Sequence, residues 1–149
     1  MATFISHNPE ETETLGQRLA ERLDAGAVVG LSGDLGAGKT RLVQGIARAL
    51  GIRGRVQSPT FALVNVHAEG RIPLYHLDLY RLDTPAQIQS AGLEEYLGSD
   101  GVTVIEWAER WFGSEAGVDQ PPLPVGYKTV HLEVLSETMR RITYEGFGD

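Results

Sequence analysis

Apolar residues recur along this chain in three rhythms. Leu15, Leu19 and Leu23 return at every fourth position, which marks one face of a helix. Asn8-Pro9-Glu10-Glu11 ahead of them supplies its start: a capping asparagine, a proline at the first helical position and a glutamate at the third. Gly26 is the expected stop. Ala27-Val28-Val29-Gly30-Leu31 follows, apolar without alternation, as in a strand covered on both faces. Over residues 40–50, Leu42, Val43, Ile46, Ala47 and Leu50 resume helical spacing, and Gly51 closes that helix.

The third rhythm is that of strands. Phe61-Ala62-Leu63-Val64 and Leu74-Tyr75-His76-Leu77-Asp78 flank Glu69-Gly70 and read as a hairpin. Thr84-Pro85-Ala86-Gln87 is a second capping box, opening a short helix that breaks near Gly92. Val102-Thr103-Val104-Ile105-Glu106 is a buried strand ending in an acid, and residues 114–126, rich in Gly and Pro, read as loop. Val130, Leu132 and Val134 alternate with polar residues; after a turn at Ser136-Glu137-Thr138, Ile142 and Tyr144 resume the alternation, so the chain closes on a β-hairpin. The order is α/β with some antiparallel pairing.

Between the first strand and the second helix lies Gly33-Asp34-Leu35-Gly36-Ala37-Gly38-Lys39-Thr40, which satisfies G-x-x-x-x-G-K-[ST] in the context the pattern needs. Glycines let successive N–H groups converge on one point, and the helix N-terminus adds partial positive charge. Lys39 reaches the β- and γ-phosphates and the Thr40 hydroxyl ligates Mg²⁺. The expectation is a single-domain P-loop NTPase over residues 1–149 that binds ATP with Mg²⁺, with a mostly parallel central sheet, antiparallel additions and flanking helices.

Such a loop works with an acid at the end of a neighbouring strand. Glu106 and Asp78 both qualify, against the plainer reading of a solvated strand-end carboxylate; the metal role goes to Glu106, and Asp78 either positions water or supports the metal's ligands from behind. Ser58-Pro59-Thr60 stands where a mobile loop would bring a hydroxyl to Mg²⁺ and the γ-phosphate, and reads equally as a turn with a capping hydroxyl. Trp107 and Trp111 read first as core anchors, though Trp107, next to Glu106, should report on nucleotide. His76 and Asp78 share a strand face, and a histidine–carboxylate pair is more often structural than catalytic.

Composition narrows the partners. The 149 residues carry a net charge of −7, which argues against unaided binding of nucleic acid. The chain lacks cysteine, and its four histidines are too scattered to suggest a metal cluster. No apolar run approaches a membrane span and no leader pattern opens the chain, so a cytoplasmic protein is expected.

Four segments in order, Gly-Asp-Leu-Gly-Ala-Gly-Lys-Thr, Ser58-Pro59-Thr60-Phe61, Tyr75-His76-Leu77-Asp78-Leu79-Tyr80-Arg81 and Val104-Ile105-Glu106-Trp107, resemble the bacterial TsaE (YjeE) family. The resemblance implies the ATPase component of the system that makes N6-threonylcarbamoyladenosine at position 37 of tRNA. Its partners would be TsaD and TsaB, with tRNA met only through the complex; separately, nothing in the sequence looks like a dedicated arginine finger, so turnover is expected to be slow until partners bind. By position the resemblance implies phosphate and Mg²⁺ binding by Lys39 and Thr40, Mg²⁺ binding by Glu106, a switch role for Thr60 and a place at the catalytic centre for Asp78. It also sets Thr12, in Glu10-Glu11-Thr12, beside the adenine, and leaves the role of Arg140 and Arg141 open.

A GTPase is disfavoured, since neither N-K-x-D nor a following D-x-x-G is present. A P-loop small-molecule kinase uses the same loop and strand-end acids, but its lid should carry arginines late in the chain, whereas Arg18 and Arg22 precede the loop. A nucleotide-gated adaptor differs from an ATPase only in rate.

Overall fold

The computed structural model describes residues 1–34, 36–57, 63–112 and 123–148. Among these, seven strands form one sheet in the order β1-β7-β6-β2-β5-β4-β3. The strands are β1 (Ala2–Ser6), β2 (Val28–Gly33), β3 (Val64–His67), β4 (Leu74–Asp78), β5 (Val102–Glu106), β6 (Lys128–Val134) and β7 (Arg140–Glu145). β4, β5, β2 and β6 are parallel neighbours, while β3, β7 and β1 add antiparallel edges. Helices α1 (Pro9–Ala20), α2 (Lys39–Ala49), α3 (Pro85–Ser90) and α4 (Glu109–Phe112) and a 3-10 turn (Leu93–Tyr96) flank it. The α/β architecture, parallel in its centre, is as the sequence predicts.

β2 and β5 read as unbroken apolar runs because both of their faces are covered. Val29, Leu31, Val102 and Val104 face α1 and α2, where they meet Leu15, Leu19, Leu42, Val43 and Ile46. Val28 and Ile105 point the other way, into Leu77, Ile88, Leu93 and Trp111. α1 begins as expected, with the Asn8 side chain accepting from Glu11 N at 2.8 Å, but it ends at Ala20 rather than at Gly26. Leu23 keeps its place in the core from a turn beyond the helix, 1% exposed, and Arg22 is likewise outside the helix.

The hairpin also shifts: β3 runs from Val64, paired with Leu77, to His67, so the connection around Glu69-Gly70 spans residues 68–73 and is shorter than the sequence suggests. Phe61 and Ala62 lie outside the described residues, as do residue 113 and, within the expected loop, residues 114–122. β1 has no counterpart in the sequence reading. Its five residues form an edge against β7, Phe4 opposite Ile142, and its outward Ile5 inverts the usual alternation.

Candidate functional site

The carboxyl ends of β2, β4 and β5 lie side by side, Leu31 opposite Glu106 and Asp78 opposite Glu106. In open α/β sheets this is the edge that takes ligands. The chain leaving β2 turns through the glycine loop and enters α2 at Lys39. Gly33 has a φ of 142° and passes so close to β6 that a Cβ would stand 2.4 Å from Leu132 O, so no larger residue fits. Gly36 and Gly38 take φ of 81° and 102°, and Gly38 caps α2 without a side chain to occupy its free N–H groups.

One cleft of about 370 Å³ opens on this loop, lined by Gly36, Gly38, Lys39, Thr40, Arg41, Asp78, Tyr80, Glu106 and Trp107. Lys39 is buried. Its Nζ donates to Gly33 O at 2.6 Å and Asp34 O at 2.9 Å and sits 4.0 Å above the Trp107 ring. Burial, the largest influence, holds the ammonium below the ordinary lysine range, against the charges of Glu106, Glu109, Asp78 and Asp34. The Thr40 hydroxyl donates to Glu106 Oε2 at 3.0 Å, with Oε1 at 3.2 Å. His76, from the interior of β4, lies 2.5 Å from the same Oε2. Asp78 accepts from Tyr80 N at 3.0 Å. Burial raises its carboxyl above the ordinary range, opposed by that N–H and reinforced by Glu106.

Trp107 has a φ of 61°, a conformation bulky residues rarely adopt. It follows the last residue of β5 and turns the chain sharply, with Ala108 N bonding Leu31 O at 3.1 Å. The turn lays the indole over Lys39, packed against Tyr80 at 5.2 Å between ring centroids, with Arg110 5.3 Å from the indole. Strain of this kind collects at functional sites.

Lys39, Thr40, Asp78, Glu106, Trp107, Gly36 and Gly38 therefore meet in one place. Gly33 and Ala37 build the loop from beneath, Ala37 fully buried. Thr12 does not line the cleft: it is 2% exposed, its hydroxyl 2.8 Å from Ser6 Oγ, its methyl packed under Gly38. Leu35 and Thr60 lie outside the described residues, together with the rest of Ser58-Pro59-Thr60-Phe61. The sequence reading missed Arg140, whose guanidinium donates to Gly36 O at 3.2 Å across 104 residues. No local pattern signals that contact. It also missed Tyr80 and Arg41 as lining residues, and Arg141 pairs instead with Glu133 at 2.6 Å.

These features define a single α/β domain whose glycine loop joins a buried strand to a helix at the ligand-binding edge of its sheet. Its particular kind is given by comparison: the family described as Threonylcarbamoyl adenosine biosynthesis protein TsaE matches residues 6–142, and the chain belongs to that family. The tRNA threonylcarbamoyladenosine biosynthesis protein TsaE of Bacillus subtilis is 35% identical over 95% of this chain and 84% of its own. That of Treponema pallidum is 40% identical over 93% and 96%, and that of a Nostoc species 53% identical over 74% and 70%. The crystal structure of Bacillus subtilis YdiB superposes with a TM-score of 0.75 at 31% identity, covering 99% of this chain and 86% of that one.

Proposed function

We propose that this chain is the Mg²⁺-dependent ATP-binding and ATP-hydrolysing component of tRNA threonylcarbamoyladenosine modification at A37, acting in the cytoplasm with TsaD and TsaB. The observation that carries the reading is the convergence of Lys39, Thr40, Asp78 and Glu106 on the loop that opens α2. The first turn of α2 holds Lys39 and no acidic residue. A cation at the positive end of a helix dipole is unfavourable without an anion beside it. A phosphate supplies that anion and the acceptors that the loop N–H groups need.

The donor set suits Mg²⁺. The Thr40 hydroxyl and the Glu106 and Asp78 carboxylates are hard oxygens, and Mg²⁺ is held through one or two carboxylates with waters and substrate phosphates. Among the described residues no three His, Cys, Asp or Glu side chains cluster into a closed cage. When bound, the ion neutralises charge building on the transferred phosphoryl group. Lys39 exchanges the Gly33 and Asp34 carbonyls for phosphate oxygens, Asp78 orients the attacking water, and Trp107 closes the cleft from above. A carboxyl raised by burial supports this role for Asp78, since it favours holding a proton taken from that water.

The arginines at this cleft among the described residues are each engaged: Arg41 with Glu13 at 3.1 Å, Arg140 with Gly36 O at 3.2 Å, and Arg110 against the Trp107 ring at 5.3 Å. Turnover is accordingly slow alone and gains about 10³–10⁵ when charge stabilisation arrives in trans. Thr60 belongs to the segment that senses the γ-phosphate, and tRNA is met through the complex. Steady-state ATP hydrolysis by the chain alone and with TsaB and TsaD tests this. Stimulation by the pair is expected; fast turnover indifferent to them contradicts it.

A further inference from the structure

His76 lies beneath the cleft with no exposed surface, and Nε2 reaches Glu106 Oε2 at 2.5 Å. An ionised carboxylate offers only lone pairs, so Nε2 carries the hydrogen. In the neutral ring Nδ1 is then an acceptor, and it is buried with no hydrogen-bond partner among the described residues. Such an orphan is a cost to the fold that an aliphatic side chain would avoid. His76 pairs with Val104 and Asn65 in the sheet interior, behind the lining of the cleft. Among the described residues its one directed side-chain interaction is with Glu106.

The carboxylate of a glutamate rotates in a broad, weakly defined well. We propose that His76 is a positioning residue that fixes this rotation, holding the Glu106 oxygens at 3.0 and 3.2 Å from the Thr40 hydroxyl before any ligand enters, and so sets the affinity of the site for its divalent cation. Partners that orient metal-binding carboxylates typically contribute about 10- to 100-fold in metal affinity. The role rests on Thr40 and Glu106 being the cation site.

The test measures binding of a non-hydrolysable ATP analogue by calorimetry at stepped MgCl₂ concentrations and in EDTA, after melting curves on each protein. His76→Gln can place an amide N–H where Nε2 was; His76→Asn falls short, and His76→Leu has no donor. The Gln variant is expected to follow wild type. The Asn and Leu variants should need about 10- to 100-fold more Mg²⁺ for the same gain in affinity, with unchanged affinity in EDTA. Wild-type Mg²⁺ dependence in the Asn or Leu variant overturns the proposal, as does a Gln variant no better than Asn. Failure of both Asn and Leu to fold overturns it too, because His76 would then be a structural residue. If wild type itself shows no Mg²⁺ dependence, the cation site fails first.

Discussion

Thr40 Oγ1 donates to Glu106 Oε2 at 3.0 Å although 66 residues separate them. Parallel pairing of β2 with β5 sets Leu31 opposite Glu106, two residues before β2 ends at Gly33. The glycine loop then starts α2 above the end of β5, so a hydroxyl on the first helical turn meets a strand-end carboxylate without further adjustment.

The charge on Lys39 is a cost to the ligand-free fold, because burial holds its ammonium below the usual range. Lys39→Met, close in volume, should leave the melting temperature unchanged or raised. It should weaken ATP binding about 10- to 100-fold, since hydrogen bonds to charged groups are worth about 1.5–3 kcal/mol. Melting curves with nucleotide titration check both halves, and wild-type affinity in this variant would remove Lys39 from the site.

Glu106 touches the Thr40 hydroxyl and Asp78 does not, so the two acids should separate in kinetics. Glu106→Gln is expected to lower kcat by about 10²-fold or more, several kcal/mol of charge stabilisation, with a smaller effect on nucleotide affinity in EDTA. Asp78→Asn should lower kcat while leaving the Mg²⁺ requirement closer to wild type. The reverse pattern in an Mg²⁺ titration would exchange their roles.

Because the Asp78 carboxyl is raised in the folded protein, the native state holds that proton more tightly than the unfolded chain. Stability therefore falls as pH rises from the ordinary carboxylate range through the raised value, and stays lower above it. Asp78→Asn should raise the melting temperature at neutral pH and make no difference in acid. A gap between the two proteins that ignores pH would contradict the placement of Asp78 in a desolvated cleft.

Helix α2, which the loop opens, crosses α1 through bare backbone. A Cβ on Gly45 would stand 2.0 Å from Glu13 O, and one on Gly16 2.3 Å from Leu42 O. Alanine normally gains about 1 kcal/mol over glycine inside a helix, but overpacking costs about 1–3 kcal/mol, and a clash with backbone lies at the upper end. Gly45→Ala should thus be net destabilising in chemical denaturation. A stabilised variant would mean that α1 and α2 do not cross here.

Periodicity and capping chemistry made most of the elements legible in the sequence. Asn8, Thr84 and Gly51 act where they stand, and the runs of β2 and β5 report a sheet covered on both faces. The end of α1 was not legible, because Leu23 continues the spacing of Leu15 and Leu19 from a turn. β1 escaped for a similar reason: an edge strand that turns Ile5 outward has no alternation to read. For the site, the glycine loop and its strand-end acids are local patterns and could be named. That Glu106 rather than Asp78 meets Thr40 depends on strand order, and Arg140 reaches Gly36 only because the closing hairpin lies beside β2.

Direct titration of ATP into the wild-type chain, with MgCl₂ and then with EDTA, tests the central claim that this cleft is an Mg²⁺-dependent ATP site. One molecule of ATP is expected per chain, bound more tightly with Mg²⁺ and displaced by ADP. Absence of binding at millimolar MgATP, or affinity that Lys39→Met leaves untouched, would contradict it.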